Sequence, residues 1–282
     1  MTETESQPAP KKNSDLATRF VTGFVMIAVA LGAVYLSGWP FRILAAVAAG
    51  LMILEWADMH RVPRLWRLAA VVMIAVPLIV VVEYYFRAAD HNQFQIDYDL
   101  VEPTLTLFAV ITGLALVIGL LTRRLSMAWG FVYIGVPSVA LIFLNWAWWQ
   151  LSLWALIVTW ATDIFAYAAG RSIGGAKLAP RISPNKTWAG LAGGIVGAGV
   201  CGWLAAWAYE LDEPIFYWLG GAMGLLAQLG DLYESAVKRR KGVKDSGALL
   251  PGHGGVLDRL DGLLPVALVT FLVLLVLSRG TA

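Results

Sequence analysis

Nine continuously apolar segments dominate the chain, and their length constrains the fold more than any other feature. They lie at 19–37, 41–57, 68–86, 103–121, 128–148, 151–169, 190–209, 215–233 and 263–279. An α-helix needs about 20 mostly apolar residues to cross the roughly 30 Å of hydrocarbon in a bilayer. Charged residues make up only 14% of the chain, against about 25% in soluble proteins. The sequence therefore predicts an all-α, polytopic membrane protein with about nine transmembrane helices.

The distribution of Lys and Arg predicts how these helices are oriented. If the N-terminus is cytoplasmic, all but three of the 21 Lys and Arg residues lie in cytoplasmic segments, and the exceptions are Arg42, Arg87 and Arg279. Cytoplasmic loops of membrane proteins carry such an excess of positive charge. We therefore expect the N-terminus inside, the C-terminus outside, and both long polar loops in the cytoplasm.

The chain divides into three parts by its chemistry. Residues 1–18 are polar and predict a disordered cytoplasmic tail. Residues 19–148 have short loops and predict a transmembrane scaffold. Residues 151–279 contain both long polar loops and predict a catalytic transmembrane region. Cys201 is the only cysteine, so a disulfide within the chain and a cysteine-ligated zinc site are excluded.

Four acids fall within or beside the apolar runs, namely Glu55, Glu83, Asp163 and Asp231. A charge in the bilayer interior costs at least about 2.5 kcal/mol and therefore indicates a functional site. Glu55 and Glu83 lie near the ends of their runs, so we expect their side chains to reach out to water. Asp163 lies deeper, and the sequence leaves open whether it is catalytic or packs against Lys177 or Arg171.

Asp231 begins a polar stripe on a predicted helix. Ser235 follows it by four residues, and Lys238 follows Ser235 by three. Residues at these spacings lie on one face of a helix. The stripe therefore runs from within the membrane into the basic loop, and it indicates a functional role for Asp231.

The loop after this stripe combines both signs of charge. Its cations are Lys238, Arg239, Arg240, Lys241, Lys244 and Arg259. The turn Gly252–Gly255 allows backbone N–H groups to approach an anion closely. Asp258 and Asp261 are three residues apart, and two carboxylates on one face suit Mg²⁺. A basic cluster alone would equally bind anionic lipid, and acids at a helix start also favour the helix dipole. Together, these features predict a site for phosphates and a metal ion.

The sequence leaves open the roles of His253 and of the second polar loop. His253 is a candidate general base, a hydrogen-bond donor to phosphate, or a part of the tight turn, and no other His or Cys nearby supports zinc. In the second loop, Pro180 and Pro184 prevent a continuous helix. That loop offers donors for phosphate from Lys177, Arg181, Ser183, Lys186 and Thr187.

The segment from Ser235 to Asp261 resembles the signature of the phosphatidate cytidylyltransferases, also called CDP-diglyceride synthases. The matching positions are Ser235, Val237, Lys238, Arg239, Lys244, Asp245, Gly247, Leu250, Pro251, His253, Gly254, Gly255, Val256, Asp258, Arg259, Leu260 and Asp261. The segments SPNKTWAG (183–190) and ATDIFAYAAGR (161–171) also look like this family. The resemblance covers about residues 155–262, and the first 150 residues match only as a hydrophobic bundle.

This resemblance implies an activity and a set of site residues. Such enzymes react CTP with phosphatidic acid to give CDP-diacylglycerol and pyrophosphate, with Mg²⁺ required and with room for a second cation. Asp231 and Asp258 would be metal ligands, with Asp261 close by. The phosphates would be held by Lys238, Arg239, Lys244 and Arg259. The remaining candidates for substrate binding are Ser235, His253, Gly254, Gly255 and Lys186.

The resemblance also implies partners and is to be weighed against other functions. Family members are homodimers that act on a membrane lipid, and no nucleic-acid partner is expected. A transporter or channel for a phosphorylated solute would also contain buried acids and broken helices. A CDP-alcohol phosphotransferase would require a D-G-x-x-A-R motif, which the chain does not contain. A lipid-binding scaffold would not account for Asp231, Asp258 and Asp261.

Overall fold

The computed structural model describes residues 12–91, 101–211, 213–250 and 254–280. Within these ranges the chain forms nine long helices, one four-residue helix and one two-stranded hairpin. The elements are α1 (Lys12–Leu36), α2 (Gly38–Met59), α3 (Arg64–His91), α4 (Val101–Thr122), α5 (Leu125–Ala147), α6 (Trp149–Ser172), β1 (Lys177–Ala179), β2 (Ser183–Thr187), α7 (Trp188–Ala208), α8 (Phe216–Lys241), α9 (Leu257–Leu260) and α10 (Leu263–Gly280).

The nine long helices coincide with the nine predicted apolar segments, which confirms the all-α fold class. Six of them, α2 to α7, are apolar over a length sufficient to cross a membrane, whereas α1 and α10 have shorter apolar stretches at 20–36 and 263–277. Helix α8 ends in four consecutive cations, so its charged last turn extends beyond the apolar run. Helix α1 begins at Lys12, inside the segment predicted as a disordered tail. The cytoplasmic position of the N-terminus stays a prediction.

Small residues allow α6, α7 and α8 to pack very closely. A Cβ atom at Gly190 of α7 would lie 2.9 Å from the carbonyl oxygen of Ala166 in α6. A Cβ atom at Gly220 of α8 would lie 2.6 Å from the carbonyl oxygen of Ala198 in α7. Membrane helices associate through small residues because their backbones can then approach. Helix α7 therefore lies between α6 and α8 and fixes the distance between them.

Aromatic side chains fill the interior of the bundle around α5 and α10. Phe143 of α5 stacks on Phe271 of α10 with their ring centroids 5.8 Å apart, and both side chains are buried. Trp56 of α2 donates a hydrogen bond from Nε1 to the carbonyl oxygen of Ser126 at 2.9 Å. Large apolar side chains also cover the outer surface, among them Phe24, Val80 and Leu120. This outer surface suits contact with lipid chains.

The second polar loop forms a β-hairpin, which the sequence did not predict. Strands β1 and β2 are antiparallel, with Lys177 paired to Thr187 and Ala179 paired to Ser183. The prolines prevent a helix here, as expected, and the segment forms a short antiparallel pair instead. Thr187 then caps α7, because its Oγ1 accepts a hydrogen bond from the N–H of Gly190 at 3.0 Å. The hairpin is thereby tied to the start of α7.

The close approach of α7 and α8 predicts a sharp difference between two glycine substitutions. Gly220→Ala places a methyl group against the backbone of Ala198, so we expect it to lower the free energy of unfolding by about 1–3 kcal/mol. The matched control is Gly113→Ala in α4, where a Cβ meets no atom within 4 Å. Thermal unfolding in detergent measures both variants. Equal melting temperatures for the two would contradict the packing described.

Candidate functional site

Polar loops meet at one end of the bundle, which we call the charged end. It comprises the turn after α2, the turn before α5, the hairpin, and the loop that follows α8. Arg124 donates a hydrogen bond from Nη1 to the carbonyl oxygen of His60 at 2.6 Å, which joins the turn before α5 to the turn after α2. Arg239 donates from Nε to the carbonyl oxygen of Ile182 at 3.2 Å, which joins α8 to the hairpin. The predicted site residues within the described ranges lie at or near this end.

Asp258 of α9 lies at the centre of a dense set of donors. Its carboxylate accepts hydrogen bonds from Lys238 Nζ at 2.6 Å, from the N–H of Gly255 at 2.8 Å and from the N–H of Ser246 at 3.0 Å. Burial raises the pKa of Asp258, but the bonds from Lys238 and Gly255 outweigh that effect and hold it below its ordinary value. Asp258 is therefore an anion whose charge the fold already compensates.

Lys238 joins Asp258 to a carboxylate that the sequence analysis missed. Its Nζ also forms an ion pair with Glu234, one helical turn earlier in α8, and the Glu234 side chain is fully buried. The spacing of four residues between Glu234 and Lys238 within an apolar helix was the available signal. The side chain of Lys238 therefore does not continue the predicted polar stripe of Asp231 and Ser235. It contacts Glu234 and Asp258 instead.

Asp231 forms a second lysine–carboxylate pair. Lys186 of β2 approaches Asp231 with its Nζ 2.7 Å from Oδ2, and the Ser235 hydroxyl donates to Oδ1 at 3.2 Å. The contact between Asp231 and Ser235 confirms that they share a face of α8. The pairing with Lys186 joins the hairpin to α8, and no local pattern in the sequence predicts this contact.

A cavity of about 520 Å³ opens beside this second pair. Its walls come from α6, β2, α7 and α8, and they include Asp163, Tyr167, Arg171, Lys186, Gln228 and Asp231. Asp163 therefore lines the same cavity as Asp231, which places it at the site. The cavity is wide enough for a phosphate-bearing ligand and carries both carboxylates and cations.

Asp261 lies where α9 meets α10, close to Asp231. Gly230 of α8 packs so closely against the backbone carbonyl of Asp261 that no side chain would fit between them. Burial raises the pKa of Asp261, and the negative charges of Asp231 and Glu234 raise it further, against the lowering effect of the Gly262 N–H. The three carboxylates therefore act on one another electrostatically.

The donor chemistry at the charged end fits a hard cation at one or two carboxylates. Among the described residues, no group of three or more His, Cys, Asp or Glu side chains is close enough to hold a metal ion. Asp231 and Asp258 each bind a lysine ammonium group instead. Mg²⁺ is commonly held by one or two carboxylates together with water and substrate phosphates. The two lysine ammonium groups thus occupy positions at which the carboxylates favour a cation. The binding of a metal ion at these positions stays a prediction.

The other predicted substrate-binding residues differ in their surroundings. Arg239 donates to two backbone carbonyls, those of Ile182 and Val243, and so ties the end of α8 to its neighbours. Lys244 and Arg259 are exposed on the charged end. Gly254 has a φ of 81°, a left-handed conformation that favours glycine. His253 lies outside the described residues, together with Pro251 and Gly252.

Glu55 does not behave as the sequence predicted, and Glu83 has a cation as its partner. Glu55 is buried, and its carboxylate accepts hydrogen bonds from Ser246 Oγ and from the N–H groups of Val256 and Leu257. The expectation that it reaches water is therefore wrong, because the loop after α8 folds over it. Glu83 forms an ion pair of 2.6 Å with Arg42, so a cation rather than water compensates its charge.

Comparisons with known proteins connect this site to one family. The model of the Cytidylyltransferase family matches residues 17–277 of the chain. A phosphatidate cytidylyltransferase of Brucella abortus biovar 1 is 35% identical over 276 residues, which cover 92% of this chain and 93% of that protein. The match extends well beyond the region of 155–262 in which the sequence analysis found specific motifs.

Two further relatives come from other bacteria. A phosphatidate cytidylyltransferase of Bacillus subtilis is 34% identical over 265 residues, covering 89% of this chain and 94% of that protein. One of Rickettsia bellii is 41% identical over 158 residues, covering 51% of this chain and 67% of that protein. The match to the Bacillus subtilis protein includes most of the chain on both sides of residue 150.

The buried position of Lys238 predicts that its charge is needed for stability. Lys238→Met leaves Glu234 and Asp258 without their shared cation, so we expect the free energy of unfolding to fall by about 3–5 kcal/mol. Adding Glu234→Gln removes one unpaired buried charge and should restore part of that loss. Thermal unfolding in detergent measures each variant, with Lys241→Met at an exposed position as the control. An unchanged melting temperature for Lys238→Met would contradict the pairing.

Proposed function

The chain belongs to the cytidylyltransferase family, and from this premise we propose that it transfers CMP from CTP to phosphatidic acid. The products are CDP-diacylglycerol, a precursor of phospholipids, and pyrophosphate. The observation that carries the proposal is the pair of lysine–carboxylate contacts at one end of a membrane bundle, Lys238 with Asp258 and Lys186 with Asp231, the second of which lines a cavity. The relatives reported above are named for this activity, and none of them supports a transporter.

The proposed reaction is a displacement at phosphorus. An oxygen of the phosphatidate phosphate attacks the α-phosphorus of CTP, and the bond from that phosphorus to the oxygen bridging the β-phosphate breaks. Pyrophosphate leaves with the electron pair of that bond. The phosphatidate oxygen is already anionic, so the protein mainly has to position two anions and offset their repulsion. A membrane bundle with a polar end suits this task, because one substrate carries acyl chains and the other is soluble.

Lysines and arginines of the charged end supply the offsetting charge in this proposal. Lys186 pairs with one carboxylate and can turn to a phosphate when one arrives, while Lys238 holds its positive charge between Glu234 and Asp258. Lys244 and Arg259 are exposed at the same end and extend the positive surface. Cations placed around the transferred phosphoryl group and the leaving pyrophosphate lower the barrier by stabilising charge as it develops.

We propose Asp231 and Asp258 as ligands of Mg²⁺, with Asp261 nearby. The proposal allows for a second cation but assigns no residues to it. The support is chemical, because both carboxylates already bind ammonium cations and Asp231 lines the cavity. Bound there, Mg²⁺ would neutralise phosphate charge and orient the two substrates. Neutralisation of Asp231 would leave Lys186 free for a phosphate, while Lys238 would keep its pairing with Glu234.

The location and assembly of the protein are part of the proposal. The chain has several helices long and apolar enough to cross a membrane, and the relatives are bacterial, so the proposed location is the cytoplasmic membrane. The excess of cations at the charged end favours its facing the cytoplasm, where CTP is found. A homodimer is proposed from the family resemblance.

The proposed activity predicts the release of pyrophosphate in a defined mixture. Purified protein in detergent with CTP, phosphatidic acid and Mg²⁺ should release one pyrophosphate for each CDP-diacylglycerol formed. Omission of either substrate should abolish the release. Pyrophosphate formed without phosphatidic acid would indicate simple hydrolysis of CTP and contradict the proposal.

The proposed metal ligands predict specific losses of activity. Asp258→Asn should reduce kcat by about 100-fold or more while the protein still inserts and folds, because the metal contributes several kcal/mol to the transition state. Asp231→Asn should raise the Mg²⁺ concentration needed for half-maximal rate or abolish turnover. The control is Asp58→Asn, which alters an ion pair with Arg67 on the surface. Full turnover of Asp258→Asn, or an unchanged Mg²⁺ titration of Asp231→Asn, would refute the assigned role.

A further inference from the structure

Glu55 is the one acid of the N-terminal half that reaches the candidate site among the described residues. It lies in α2, and its carboxylate contacts a loop 191 to 202 residues later in the chain. One oxygen accepts the N–H of Val256 at 2.8 Å. The other accepts the N–H of Leu257 at 2.9 Å and the hydroxyl of Ser246 at 3.0 Å. Both oxygens of this buried carboxylate are therefore used to hold the loop.

Ser246 links Glu55 to Asp258 through two different groups. Its hydroxyl donates to Glu55, and its backbone N–H donates to both oxygens of Asp258 at 3.1 Å and 3.0 Å. Val256 and Leu257, whose N–H groups donate to Glu55, directly precede Asp258. Glu55 therefore fixes Asp258 from two sides without touching it.

Two glycines of the loop make room for the Glu55 carboxylate. A Cβ atom at Gly247 would lie 2.7 Å from Oε1 of Glu55, and one at Gly255 would lie 2.6 Å from Oε2. Any side chain at these positions would push the carboxylate away. The two glycines explain why the loop can close over α2. The sequence predicted that Gly255 shapes an anion-binding turn, whereas here its lack of a side chain makes room for the Glu55 carboxylate.

Helix α2 is a rigid support for this contact. It packs along α3 and α5, and Ala49, Ile53 and Ala57 on either side of Glu55 are completely buried. A short helix such as α9 has little stability of its own. Its position is thus set by the side chain of a long, buried helix rather than by the loop itself.

We propose that Glu55 is a positioning residue for the transfer reaction, holding Asp258 through Ser246 and the backbone of residues 255–257. The reaction is the one proposed above, and this inference rests on it. Groups that orient a ligand or a reacting side chain from behind typically change metal affinity or activity by about 10- to 100-fold when they are removed. Glu55 has that relation to Asp258.

The test compares Glu55→Gln with Asp58→Asn, one helical turn further along α2. Gln keeps the size of Glu but presents an amide NH₂ in place of one oxygen, so at least one donor of the loop loses its acceptor in either orientation. At a temperature well below melting, we expect kcat per folded Glu55→Gln protein to fall about 10- to 100-fold. The Mg²⁺ titration should shift to higher concentration, and Asp58→Asn should match wild type in both. A lower melting temperature with kcat and Mg²⁺ titration unchanged would overturn the proposal, because it would show a purely structural role.

A second measurement does not depend on enzyme activity. Hydrogen exchange at the backbone N–H of Val256 or of Leu257, whichever faces the new amide NH₂, should become about fivefold faster in Glu55→Gln, the factor that corresponds to the net stability of one hydrogen bond. Exchange in the same peptide should be unchanged in Asp58→Asn. Unchanged exchange in Glu55→Gln would overturn the inference even if wild type is active. Faster exchange with an inactive wild type would instead uphold the anchoring of the loop and count against the proposed function.

A double substitution tests whether Glu55 acts through Ser246. If it does, Ser246→Ala should lower kcat less in the Glu55→Gln background than in wild type, because the shared contact is already lost. Fully additive effects of the two substitutions on kcat would refute the proposed link. Ser138→Ala is a suitable control for loss of a buried serine hydroxyl, since that hydroxyl bonds within α5 at 2.8 Å.

Discussion

The pairing of charges at the edge of an apolar bundle is the constraint on which the rest of this structure depends. An ion without a partner is costly to bury, so each acid near the membrane interior needs a cation or several hydrogen-bond donors. Lys186 and Lys238 meet this need for Asp231 and for Asp258 with Glu234, while backbone N–H groups and Ser246 meet it for Glu55. Because these partners come from different loops, satisfying the charges also folds the charged end.

The close packing of α6, α7 and α8 determines where those pairs can form. Contacts at Gly190 and Gly220 bring the backbones of the three helices together, so the hairpin before α7 lies beside α8. Lys186 on that hairpin then reaches Asp231. Bulkier residues at the glycine positions would separate the helices and with them the charges. The small residues of the membrane interior therefore control the geometry of a polar site outside it.

The sequence predicted what depends on local pattern and missed what depends on contacts between distant segments. The helices followed from the length of the apolar runs, and the contact of Asp231 with Ser235 followed from helical spacing. The partners of Glu55 lie some 200 residues away, so its distance from the end of its run could not reveal that a loop would cover it. Glu234 lies one residue beyond the apolar segment 215–233, so the pattern of acids within apolar runs does not include it, although its spacing of four from Lys238 is visible in the sequence.

The two lysine–carboxylate pairs give the charged end a balance that suits a reaction between two anions. Carboxylates alone would repel CTP and phosphatidic acid, and free lysines alone would hold phosphates without leaving any site for a metal ion. In the paired state each of these charges has a partner, so the site without substrate avoids the larger cost of a buried charge left alone. For Lys186, which is partly exposed, an exchange of partner from carboxylate to phosphate then requires rotation of a long side chain, whereas Lys238 keeps its pairing with the buried Glu234. Glu55 keeps the backbone beneath Asp258 fixed, so that such an exchange need not disturb the loop.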